Sequence, residues 1–193
     1  KTLTITVNTD KGPAEKTITL AAGKKFEAGK IATFTVDMTG VTIAEPEVYE
    51  LVKNPADLTV GSKVIIAASS YNFAISTTQN SNNRAQAAIT KSSDKSTISD
   101  PGSDVEIMTI QVGTTSGTVA FKAKNGYLYA ASSSSNYLRT EANLSANSSW
   151  KVTITTAGIA TVKAQGTNTR NWLRYNNSSK LFACYASGQT DIA

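Results

Sequence analysis

At 193 residues and 40% apolar content the chain can bury a core, which excludes wholesale disorder. His is absent and Cys184 is the single cysteine, which excludes an internal disulfide and a multi-cysteine metal site; no stretch reaches the roughly 18 apolar residues of a membrane-spanning helix. The net charge of +5 is unevenly placed: +1 over residues 1–45, −2 over 46–117 and +6 over 118–193, so an anionic partner stays open.

From the N-terminus, residues 1–40 predict three strands. "KTLTITVNTD" alternates Leu3, Ile5 and Val7, "EKTITL" alternates Ile18 and Leu20, and "KIATFTVDMTG" carries Ile31, Phe34 and Val36. Period-two alternation between turn-forming stretches describes a half-buried antiparallel meander. Three strands cannot bury both faces of a sandwich, so the meander is expected to lean on further sequence or on another molecule. The chain starts inside a strand-like pattern with no signal peptide visible, and we expect a processed or truncated product. "TIAEPE" then breaks the pattern and predicts a linker near residues 41–48, dividing a meander at 1–43 from a second domain at 44–193.

The second domain contains an internal repeat. "KVIIAASSYNFAIS" from Lys63, "TVAFKAKNGYLYAA" from Thr118 and "IATVKAQGTNTRNWLRY" from Ile159 each give an alternating strand, a polar turn and an aromatic-bearing strand. Ile66, Phe121 and Val162 correspond, as do Phe73, Tyr127 and Trp172. A third short strand follows each unit in "AQAAIT", "NYLRT" and "KLFACY". A fourth follows the first two in "VEIMTIQV" and "WKVTITT", and the third copy ends at "TDIA". Three units of four short strands with no helical stripe predict an all-β chain, a short antiparallel meander followed by a β-trefoil-like domain. A different closed barrel or a sandwich is the alternative. "VYELV" at 48–52 is one strand too many, expected to close the barrel beside the terminal strand.

Two resemblances follow from these phrases. "KTITLAAGKKFEAGKIATFTVDMTGV" resembles the last strands of the fimbrillin-like surface proteins of Bacteroidales, over about a fifth of the chain. "YELVKNPADLTVGSKVIIAA", "TTSGTVAFKAKNGYLYAASSSSNYL" and "NWLRYNNSSKLFACYASGQTDI" resemble a C-terminal domain of secreted or lipid-anchored proteins from the same bacteria. The resemblance implies a cell-surface or extracellular location and a part in adhesion, fimbria-like assembly or glycan contact; it carries over no functional residues. The ricin-type trefoil lectins carry a repeated "QxW" and a sugar-anchoring Asp, where this chain reads "MTI", "WKV" and its end, so their site does not transfer.

Without His, the Ser-His-Asp and Cys-His arrangements cannot be built. A glycosidase needs two facing carboxyl groups, and residues 118–193 offer only Glu141 and Asp191. Asp94, Asp100, Asp104 and Glu106 sit close together in an oxygen-rich stretch, which reads as a solvated loop ahead of a calcium site. No phosphate-binding glycine loop occurs. The expectation is a chain that is not an enzyme and needs no cofactor or metal.

The aromatic residues are the remaining candidates. With Leu128 and Leu173 assigned inward, Tyr127, Tyr129, Trp172 and Arg174 fall on the opposite face, nearer solvent. Aromatic rings beside polar groups suit sugars, the ring against a pyranose face and the polar groups on hydroxyls. Tyr127, Tyr129, Trp172, Arg174 and Asn176 are therefore the candidate ligand contacts. Packing is the preferred explanation for Trp150, for Cys184 and, ahead of ligand contact, for Trp172. The expected function is a non-catalytic surface module that binds a glycan or host surface ligand. Self-assembly through the N-terminal strands ranks second and nucleic-acid or other polyanion binding last, because the basic residues are spread rather than run together.

Overall fold

The structure, a computed structural model, describes residues 2–9, 12–23, 28–31, 35–41, 46–188 and 192–193, and these form an all-β protein of antiparallel strands. No α-helix occurs among them; single 3-10 turns stand at Pro55–Asp57 and Ala146–Ser148. The chain forms two compact units, Lys1–Glu47 and Val48–Ala193.

In the first unit, β1 (Thr2–Thr9) and β2 (Gly12–Thr19) form a hairpin in full register, from Thr2 opposite Thr19 to Thr9 opposite Gly12. The register puts Leu3 opposite Ile18 and Val7 opposite Ala14 on one face. On the other face Thr4 Oγ1 meets Thr17 Oγ1 at 3.0 Å, and Thr6 Oγ1 donates to Glu15. The expected third strand does not form over the described part of its span. Residues 30, 31 and 35–38 are irregular, with Ile31 97% exposed, and residues 32–34 lie outside the described set. The physical reason is visible in the pattern: "IATFTVDM" alternates less regularly than its neighbours and ends in an Asp37–Thr39 turn, where the Thr39 N–H donates to Asp37 Oδ1.

In the second unit the strands are β3 (Val48–Glu50), β4 (Lys63–Val64), β5 (Phe73–Asn80), β6 (Asn83–Ala88), β7 (Thr97–Ser99), β8 (Met108–Val112), β9 (Val119–Ala123), β10 (Gly126–Ala130), β11 (Leu138–Glu141), β12 (Trp150–Ile154), β13 (Ala160–Ala164), β14 (Trp172–Asn176) and β15 (Leu181–Tyr185). Their pairings run in a circuit. β4 pairs β8, β8 pairs β9, β9 pairs β12 and β12 pairs β13. Ile192 then bridges Ala160 on one side and Ala68 on the other, returning to the segment that continues β4. Three hairpins project from this circuit, β5–β6, β10–β11 and β14–β15, and β15 also pairs β6.

"VYELV" has a different role from the one expected. β3 pairs antiparallel with β7, inside the long insertion that follows β6, and Ile192 takes the closing position instead. Two short segments far apart in sequence found each other because the insertion supplies its own edge strand, "TIS".

Inside the circuit lies one apolar cluster. Ile66, Phe121 and Val162, the corresponding residues of the three units, are all buried in it, together with Leu128, Leu173, Trp150 and Cys184. Cys184 is fully buried, and burial pushes its thiol pKa up, as expected of a packing residue. Gly126 opens β10 at φ 138°, a conformation L-residues rarely adopt, and a Cβ there would run into the backbone carbonyl of Glu141. Gly126→Ala is therefore expected to destabilise the second unit by about 2 kcal/mol or more. A thermal melt checks this, with the transition falling by about 2–4 °C for each kcal/mol.

Candidate ligand-binding face

Alternation carries the aromatics to the positions the sequence implied, with one exception. Leu128 and Leu173 are buried, and Tyr127, Tyr129, Trp172 and Asn176 are half-buried. Arg174 is the exception at 7% exposure, so it is not near solvent. It stands opposite Ala183 on β15, where a small side chain leaves room for its stem, and its guanidinium lies 5.0 Å from the Trp172 ring centroid.

The five candidates do not converge on one site. Tyr127 and Tyr129 are on β10, Trp172, Arg174 and Asn176 on β14, and β9, β12 and β13 lie between those strands in the sheet. Lys122 Nζ covers the Tyr127 ring at 4.2 Å, and the Tyr127 hydroxyl donates to Gln111. Tyr129 stands opposite Arg139, whose guanidinium donates to Asn82. Asn176 is engaged at both ends of its amide: Nδ2 donates to the Tyr185 hydroxyl at 3.0 Å, and Oδ1 accepts from Ser179 N at 3.0 Å. It closes the β14–β15 turn.

Around Trp172 a different set assembles. Antiparallel register puts Lys151 of β12 directly opposite Lys163 of β13, and Lys163 directly opposite Trp172 of β14. The same face carries Thr153 opposite Thr161, while Trp150, Val152, Val162 and Ala164 turn inward. Lys163 Nζ lies 5.2 Å from the Trp172 ring centroid. Lys151, Thr153, Thr161, Lys163, Gln165 and Asn171 line an outward-facing groove of about 410 Å³, within the usual small-ligand range of about 300–1,000 Å³.

The sequence argument missed the pairing of Lys151 with Lys163. Its signal was legible: "KVTI" and "ATVK" mirror one another about the "TTAG" turn, which the Gly158 N–H closes onto Thr155 O at 2.8 Å. A hairpin drawn on that mirror puts the two lysines face to face.

The acidic stretch divides in two. Asp94 is exposed and accepts from Ser92 Oγ, Ser96 N and Ser96 Oγ, bonds that pull its pKa down to about 2. Its carboxylate organises its own loop. Glu106, read as part of a solvated loop, is buried and paired with Arg84. Among the described residues no three His, Cys, Asp or Glu side chains group as metal ligands. No helix among them is long and apolar enough to cross a membrane.

No protein-family model matches the chain, and no curated protein matches it. Among solved structures the chain is similar to a lysenin pore, at 11% identity and a TM-score of 0.47, over 99% of this chain and 62% of that one. The chain thus spans less than two thirds of that protein's length. A likeness that slight fixes neither fold nor function.

Proposed function

We propose that residues 48–193 form a β-trefoil-like domain and that the protein is a non-catalytic, cell-surface or extracellular module that binds glycan. The trefoil reading is supported by the circuit through β4, β8, β9, β12, β13 and Ile192, and by three hairpins at equivalent places along it. The observation that carries the function is the Trp172 face. A half-exposed indole stands beside a groove of ligand size whose walls offer hydroxyl, amide and ammonium groups. Those are the apolar surface and the polar groups that sugar recognition uses. The surface location rests on the fimbrillin-like phrases of the sequence.

A glycan-array screen of the intact protein tests this reading, paired with Trp172→Ala. Saturable binding is expected, weakened at least about tenfold in the variant, since an aromatic contact and its buried area contribute on the order of 1.4 kcal/mol or more. No binding across a broad array would remove the reading.

Assembly is the second reading, and one observation favours it. Among the described residues neither β1 nor β2 pairs with a further strand, so both outer edges of the hairpin can accept one.

A further inference from the structure

We propose that the β12–β13–β14 face takes an anionic saccharide, its carboxylate or sulfate held between Lys151 and Lys163 with Trp172 at the rim; this rests on the glycan-binding reading and names the class of sugar. Strand register and the distribution of charge both point to an anion. Like charges directly opposite in an antiparallel pair are destabilising, yet Lys151 and Lys163 face each other, with Cβ atoms about 5 Å apart in such pairs. Neither lysine enters an ion pair among the described residues. Residues 142–190 hold five Lys or Arg and no Asp or Glu, so no carboxylate of that stretch offsets them. The nearest carboxylate before it, Glu141, accepts from Ser145 Oγ.

The groove chemistry selects a saccharide over a polyanion bound by charge alone. Two ammonium groups are flanked by Thr153, Thr161, Gln165 and Asn171, neutral groups suited to hydroxyls. A nucleic-acid track would need a longer run of cations and several stacking rings. A two-lysine site has a shallow salt dependence, with a log–log slope of about 2.

The test titrates the intact protein with dextran sulfate, polygalacturonate and dextran oligosaccharides, which carry sulfate alone, carboxylate alone and neither, and with single-stranded DNA, read by calorimetry at two salt concentrations. Binding of one or both acidic oligosaccharides is expected, and comparing those two arms separates sulfate from carboxylate. K151Q/K163Q is expected to lose about tenfold in affinity per lysine, as charge-assisted hydrogen bonds of that strength imply. K151R/K163R keeps the affinity. The glutamine variant relieves a like-charge pair and gives up the Lys163–Trp172 contact, effects of similar size and opposite sign, so its melting temperature should stay within about 2–4 °C of the unaltered protein and lost binding cannot come from misfolding. Acidic oligosaccharides bound equally well by K151Q/K163Q would overturn the site while leaving the glycan reading standing. Dextran bound in preference to the acidic sugars would overturn the anionic class alone. DNA bound as tightly as the acidic sugars, with a slope far steeper than 2, would overturn both readings; no binding to any of these saccharides would overturn the anionic site, while the glycan reading stands or falls with the broad array.

Discussion

Glu106→Ala is expected to lower the stability of the Val48–Ala193 unit by about 3–5 kcal/mol, a large part of the 5–15 kcal/mol typical of a domain. The side chains of Arg84 and Glu106 are 1% and 4% exposed and form a buried ion pair. Arg84 also donates to the Ser76 carbonyl through Nε at 3.2 Å and Nη2 at 2.7 Å. Glu106 Oε1 accepts from Lys124 N at 3.0 Å, in the turn between β9 and β10, and the Glu106 N–H donates to Ile75 O at 2.8 Å. One carboxylate therefore ties the β5–β6 hairpin to the turn between β9 and β10. Removing it leaves a guanidinium in the interior without its anion and a peptide N–H without its acceptor. The first effect is the larger, because the charge has been taken out of water with nothing left to offset it.

A pair of variants separates those two effects. In R84M/E106L the buried charges go together, so the ionic penalty vanishes, but Ser76 O and Lys124 N lose partners. The two orphaned backbone groups cost about 2–6 kcal/mol together, and packed apolar side chains in place of a buried ion pair return about 1–4 kcal/mol, so the double variant should sit between the unaltered protein and Glu106→Ala. Denaturant midpoints at constant slope report these differences. If Glu106→Ala and R84M/E106L melt alike, the charge is not desolvated and the pair belongs to the surface.

Side-chain alternation made most of the second unit legible, because period two states which residues face the core wherever a strand is paired on both sides. Leu128, Leu173 and Trp150 went inward on that argument, and the structure buries all three. Arg174 shows its limit. Alternation assigns a face but not what covers it, and β15 with Ala183 turns an outward position of β14 into a covered one. Asn176 shows a second limit: its amide serves a turn closed by Ser179 and Tyr185, and hydrogen bonds of that kind leave no periodic trace. The Arg84–Glu106 pair was hidden by composition, since charged residues beside Asn and Ser read as surface. The register that unites Lys151 with Lys163 was available in the mirrored hairpin, whereas the union of β3 with β7 depends on contacts nearly fifty residues apart and was not.

Trp150→Ala is the second large loss expected, about 3–5 kcal/mol. Trp150 is 0% exposed, its ring centroid lies 6.3 Å from that of Phe121, and its Nε1 donates to Leu128 O at 2.9 Å. Alanine would leave both a cavity and an unpaired carbonyl. Trp150→Phe separates the two, since it keeps most of the ring volume and should cost only about 1–3 kcal/mol, the loss of the hydrogen bond together with a small cavity. Trp172 is the internal comparison. It is half-buried, it donates no hydrogen bond among the described residues, its ring lies near the cations of Lys163 and Arg174, and Tyr185 stands opposite it on β15. Two cation–aromatic contacts of about 0.5–1 kcal/mol each, with about 1 kcal/mol from the buried half of the side chain, put Trp172→Ala near 2–3 kcal/mol. The contrast between the two tryptophans decides more than stability. A half-exposed indole that contributes less to folding and stands beside Lys163 of the groove is free to serve a ligand. If Trp172→Ala instead unfolds the unit as readily as Trp150→Ala, the indole is a packing residue. The glycan reading then loses the observation that carries it, and the open edges of the β1–β2 hairpin become the stronger guide to function.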